Sequence, residues 1–153
     1  MLSPGDPAPE VFLTSLEGER QPLSQIRDGL PLLLVIYKSS CPVCQLTLPF
    51  LDRIAKGSLR VVAVSQDDER ETERFREKFH LTLPIMLDRA SDRYPASNAF
   101  GITHVPSLFL IEPDGTLSMA MSGFSKLDIE QLGERSGILV FADEEYVPEW
   151  KAG

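Results

Sequence analysis

Leu30-Pro31-Leu32-Leu33-Leu34-Val35-Ile36-Tyr37 is an eight-residue run with no charged side chain. A half-exposed strand of that length would alternate with polar residues. A short, continuously apolar run reads as a strand buried on both faces. With the alternation of strands and helices that follows it along the chain, the run argues an α/β architecture, a parallel sheet core covered by helices. It falls far short of the roughly 20 apolar residues that span a bilayer.

The rest of the chain supplies the partners. Val11 to Leu16 reads as a short first strand, followed by a turn at Glu17-Gly18-Glu19. After the apolar run, Ser39-Ser40-Cys41-Pro42 opens a helix, with Pro42 at the first helical position, where its missing N–H costs nothing. Apolar residues at 43, 46, 50, 51 and 54 form one face of that helix. Pro49 lies inside it, and Gly57 reads as its stop. Leu59 to Val64 and Leu83 to Leu87 read as two more buried strands. Between them lies a charged helix, Asp67 to His80, anchored by Phe75 and Phe79 and opened by Asp67, Asp68 and Glu69, which its dipole favours. A short helix over 93–100 ends at Gly101. Ser107–Ile111 and Leu117–Ser122 flank Pro113-Asp114-Gly115 as a hairpin, and Ser125 to Gly137 closes the pattern as an amphipathic helix. The hairpin makes the sheet mixed.

The 153 residues are one domain in size, with a core of about 4–137. Residues 141–153 carry four acids and one base and read as a solvated segment outside that core, partly buried through Val147, Pro148 and Trp150 as anchors. Fifteen basic against twenty-three acidic residues give a net charge of −8, unsuited to gripping nucleic acid. No span long enough for membrane insertion is present. Met1 to Asp6 shows neither a basic nor an apolar leader segment, so the expected compartment is the cytoplasm.

Cys41 and Cys44 are the only cysteines, too few for a disulfide scaffold. They stand at a strand-to-helix junction. A thiol in the first turn of a helix faces unpaired backbone N–H groups and the positive end of the dipole, and both favour thiolate, the nucleophilic form. Cys44 follows one turn later, close enough to attack a mixed disulfide on Cys41. Lys38 reads either as added positive potential beside the pair or as a solvated charge at a strand end. The competing chemistry is metal binding: the two thiols and His104 would leave an open coordination position, whereas a closed zinc site needs four ligands. His104 otherwise reads as structural, and His80 as a surface residue. No metal and no cofactor is expected.

Several features in order make the chain resemble the thioredoxin-like superfamily, and within it the TlpA/ResA-type and AhpC/TSA-type redoxins. The lead-in Pro4-Gly5-Asp6-Pro7-Ala8-Pro9 runs into Val11-Phe12-Leu13. The buried strand runs into Cys41-Pro42-Val43-Cys44. Pro49 falls where the family kinks its helix, Val64-Ser65-Gln66-Asp67-Asp68 is similar to its strand end, and Gly101-Ile102-Thr103-His104-Val105-Pro106-Ser107 is similar to its cis-proline loop, with Glu112-Pro113-Asp114-Gly115 after it. The resemblance implies a thioredoxin-like fold: a central mixed sheet flanked by helices, with an N-terminal extension and the acidic tail. It implies Cys41 as the exposed attacking thiol, Cys44 as the resolving thiol, Pro42 and Val43 as their spacer, and a cis Pro106 that leaves the Val105 backbone open to an extended substrate. Three positions depart from the pattern. Ser40 stands where relatives carry Trp, Thr47 where TlpA/ResA-like proteins carry Glu, and the apolar strand lacks the buried Asp of thioredoxins.

The implied function is thiol–disulfide exchange with protein disulfide or dithiol partners, coupled to an electron donor or acceptor. The alternatives are a peroxiredoxin-like thiol peroxidase with an antioxidant role, and a metal-binding module. Peroxiredoxins resemble a pattern with Thr or Ser three residues before the cysteine. Lys38 holds that place before Cys41, and Cys41 holds it before Cys44.

Overall fold

A computed structural model describes residues 1–153. In chain order the elements are β1 (Phe12–Ser15), β2 (Arg20–Pro22), α1 (Leu23–Arg27), β3 (Leu32–Tyr37), α2 (Pro42–Ile54), β4 (Arg60–Ser65), α3 (Glu69–Lys78), β5 (Ile85–Leu87), α4 (Pro95–Phe100), β6 (Ser107–Ile111), β7 (Leu117–Ser122), β8 (Phe124–Ser125), α5 (Lys126–Ser136) and β9 (Trp150–Lys151). The main sheet has the order β2-β1-β5-β4-β3-β6-β7. β3, β4 and β5 are parallel neighbours, and β6 lies antiparallel against the other edge of β3.

The apolar run is the spine of this sheet, and its side chains divide by the two-residue period of a strand. Leu33, Val35 and Tyr37 enter one core with Cys44, Leu48 and Leu51 of α2, Phe75 of α3, and Ile129 and Leu132 of α5. Leu32, Leu34 and Ile36 enter the other with Leu23, at the start of α1, and Ala96 and Phe100 of α4. The neighbours β4 and β6 divide in the same way, Val61 and Leu108 to the first core, Val62 and Phe109 to the second. A strand in the middle of such a sheet has no wet face, which is why its sequence shows no alternation.

Four short elements are additions to the expected order: β2, α1, β8 and β9. Each has five residues or fewer, too short for a period to register. Gly57 is not the stop of α2, which ends at Ile54 with Ala55 as its cap. Gly57 is required for another reason: a Cβ there would run into the Ser136 carbonyl oxygen. Ser136 ties this corner together. Its hydroxyl donates to Ile54 O (2.7 Å) and accepts from Leu59 N–H (3.1 Å), and its carbonyl accepts from Ser58 N–H (2.9 Å).

The acidic tail is docked at a few points and otherwise exposed, the partial burial expected of it. Phe141 meets Phe50 of α2 edge-on, with ring centroids 4.8 Å apart. Arg53 grips Glu145 through two bonds of 2.7 and 2.8 Å and also donates to Val140 O. Val147 packs on the first core. Trp150 anchors by its backbone, through the pairing of β9 with β8, while its side chain remains 63% exposed. The sequence weighed the tail by its charge and had no means to see Arg53 waiting on α2.

Candidate active site

The junction after β3 is held by side chains from three directions. Ser39 N–H donates to Asp67 Oδ2 (2.7 Å), just past β4, and Gln45 Nε2 donates to Ser39 O (2.9 Å) from α2. Cys41 N–H donates to Lys38 O (3.2 Å). These bonds fix Cys41 as the N-cap of α2, extended at φ −85°, with Pro42 as the first helical residue. The cap is made by sulfur. Cys44 N–H donates to Cys41 Sγ at 3.2 Å, taking one of the donors that a helix start leaves unpaired.

The two thiols, both unbridged, differ in environment. Cys41 is partly exposed and Cys44 is buried. Burial pushes the Cys44 thiol well above the usual range, and the Lys38 backbone opposes this only in part. Lys38 itself is exposed, as a charge at a strand end. Pro42 is exposed, and Val43 packs partly on the first core.

The Val105–Pro106 peptide is cis. Its loop is brought against the helix start, so that Cys41 Sγ donates to Val105 O at 3.4 Å. A cleft of about 550 Å³ opens beside the sulfur, walled by Pro42, Gln66, Tyr94, His104 and Val105 among others. The His104 ring bonds its neighbour, Thr103 Oγ1, through Nδ1 (2.9 Å), and the His104 carbonyl accepts from Ser107 Oγ (2.7 Å). His104 does not join the thiols in any group of three or more metal-ligating side chains. Thr47 is buried and donates to Val43 O (2.7 Å), so its hydroxyl is tied to the helix backbone.

Some of the cleft was missed from the sequence. Gln66 donates to Ser97 Oγ, and Ser97 is in turn held by the buried carboxylate of Asp88, which also accepts Ala96 N–H and so caps α4. Tyr94 precedes that helix in a left-handed conformation. Gly153, from the tail, also lines the cleft. Gln66 lies in the strand-end segment Val64 to Asp68 that resembles the family's, and the others belong to no spacing that signals chemistry.

Residues 4–120, most of the chain, match the AhpC/TSA family. The chain belongs to the AhpC/TSA family. This AhpC/TSA protein is 30% identical over 133 residues to the thiol-disulfide oxidoreductase ResA of Geobacillus thermodenitrificans (strain NG80-2), an alignment that covers 83% of this chain and 74% of ResA. Its fold matches the thioredoxin domain of a thiol-disulfide oxidoreductase from Bacteroides vulgatus, with a TM-score of 0.76 at 19% identity over 88% of this chain and 98% of that one. It also matches a secreted Mycobacterium tuberculosis disulfide oxidoreductase homologous to DsbE of E. coli, with a TM-score of 0.67 at 18% identity over 82% and 95% of the two chains. The fold is thus thioredoxin-like, as the order of motifs implied. The expected cytoplasmic location is corrected: the Mycobacterium tuberculosis disulfide oxidoreductase that this fold matches is a secreted protein. No helix of this AhpC/TSA protein is long and apolar enough to cross a membrane.

Proposed function

We propose that the protein is a thiol–disulfide oxidoreductase in which Cys41 attacks and Cys44 resolves. The reaction class is that of its ResA relative. The observation that carries the assignment of roles is the asymmetry of the pair: Cys41 Sγ is partly exposed and accepts the Cys44 N–H, while Cys44 is buried one turn below. A hydrogen bond from a helix-start amide stabilises thiolate on Cys41. The Cys41 thiolate attacks one sulfur of a partner's disulfide and releases the other as a thiolate, leaving a mixed disulfide. Cys44 then loses its proton and attacks Cys41 Sγ, and the partner's second sulfur leaves. The partner gains two electrons and takes up two protons, and Cys41–Cys44 becomes the disulfide. Run backward, the same steps oxidise a partner dithiol.

Lys38 contributes charge at the rim of the site, and Pro42 and Val43 set the spacing of the thiols. Val105 and Pro106 form the wall against which Cys41 Sγ is held. With Thr47 tied to the helix, no acid stands at that position to take the Cys44 proton, and burial favours the protonated thiol there. The partners are proteins bearing thiols or disulfides.

Cys44→Ser tests the assignment. It retains Cys41 and removes the resolving thiol, so adducts with partner proteins that dithiothreitol releases accumulate in cells. Adducts on Cys41→Ser in place of Cys44→Ser would reverse the roles. Adducts on neither would remove the function.

A further inference from the structure

The tail does more than cover the back of α2. After Glu145 and Val147 it turns toward the thiol. Lys126 N–H donates to Glu149 O (3.0 Å), and β9 then pairs with β8 in the register Phe124↔Lys151 and Ser125↔Trp150. Two glycines permit the approach. Gly123 has φ +81°, and a Cβ there would run into Lys151 O. A Cβ on Gly153 would stand 2.7 Å from Val105 O, the same carbonyl that accepts the Cys41 thiol. Trp150 and Lys151 therefore lie against β8, and Gly153 lies backbone to backbone against Val105 of the cis-proline loop. The tail as a whole is tied to the cysteine helix at its root, through Arg53 and Glu145, and reaches the wall of the thiol at Gly153.

We propose that residues 150–153 are a specificity strap, which closes the Val105 edge to extended polypeptides and leaves Cys41 open to disulfides that carry no chain alongside them. This rests on the reading of Cys41 as the attacking thiol. During exchange, a partner sulfur comes within bonding distance of Cys41 Sγ, in line with the disulfide it is leaving. The backbone on either side of that sulfur must then pass along Val105, where Gly153 now sits. A small disulfide brings no backbone and does not meet the strap. An extended partner reacts only in the fraction of molecules whose strap has lifted, and its apparent affinity falls by that fraction. The strap is suited to lifting. It has two paired residues, and its one aromatic ring lies mostly in solvent.

The experiment compares the reduced full chain with two variants, Gly153→Ala and a deletion of residues 148–153. Initial rates are measured on 5,5′-dithiobis(2-nitrobenzoate) and on a disulfide-linked peptide of about a dozen extended residues. For a strap closed most of the time, the peptide-to-reagent rate ratio rises about tenfold on deletion and about threefold in Gly153→Ala. Thermal unfolding checks each variant, and if the deletion does not fold, the substitution decides. A ratio that stays level or falls in the folded variants overturns the strap while leaving the dithiol intact. Failure of Cys41 in the full chain to react with the small reagent overturns the reading of the dithiol, and the strap's role falls with it.

Discussion

The floor of the Cys41 cleft and its rim are held by different means. The floor is β3 with Cys44 beneath the helix start. All six residues of β3 are buried, they divide between two cores, and both edges of the strand are paired. The rim is the Val105 loop with residues 150–153 against it, placed by a few particular contacts: a sulfur-to-carbonyl bond, two paired tail residues and the Arg53–Glu145 grip. Burial is spread over many atoms and fails only with the whole domain. A rim held by single bonds opens by itself, at much lower free energy. Thiol exchange uses both properties, a fixed sulfur below and an adjustable entrance above.

Four measurements test this contrast. Leu33→Ala, in the floor, is expected to lower stability by about 2–5 kcal/mol, the range for emptying a fully buried leucine site. Urea unfolding measures it, and a loss below about 1 kcal/mol would mean that β3 is not the support claimed for it. The second compares the thiols. Iodoacetamide on the reduced protein at neutral pH is expected to label Cys41 at least about tenfold faster than Cys44, because burial holds Cys44 protonated. Peptide mapping reads the order, and equal labelling would erase the distinction between floor and rim.

The third moves to the root of the tail. Phe141→Ala removes a ring packed on Phe50 and Phe124 and is expected to cost about 1 kcal/mol overall. Hydrogen exchange should accelerate across residues 141–153 while β3 stays protected; acceleration in both would join the two regions into one unit. The smallest effect is acid release. Arg53 holds the Glu145 carboxyl down to about 2 from its ordinary 4.5. A lowered folded-state value means that the contact contributes fully above pH 4.5 and is lost as pH falls from there through 2. Trp150 is the only tryptophan, so its emission follows the tail through that window. Arg53→Gln should flatten the acid transition, and a transition unchanged by that substitution would assign it to other carboxylates.

The legibility of the two regions in the sequence follows the same division. β3 could be read because burial on both faces leaves a local mark, an unbroken apolar run. The cysteines could be read because a strand end, a helix-opening proline and a one-turn spacing are all local, and Val105-Pro106 could be placed through the motifs around it. The rim could not be read in full. Arg53 and Glu145 are 92 residues apart, and nothing near either announces the other. β8 and β9 are two residues each, below the length at which alternation exists. The tail's acids suggested solvation because charge is visible in a sequence and a distant partner is not. Asp88 was hidden for the same reason: it is a buried acid made tolerable by the amides of α4, which only the fold delivers.

The corner at Gly57 bears on how this protein can be handled and how it can drift. With Ser136 pressed onto the backbone behind the cysteine helix, the link from α2 to β4 has no slack for added length. An epitope or reporter inserted there would push α5 off the sheet. At Gly18 a side chain would meet nothing within 4 Å. The turn between β1 and β2 is therefore the place to splice a label, and the place where insertions can accumulate over generations without reaching the thiols.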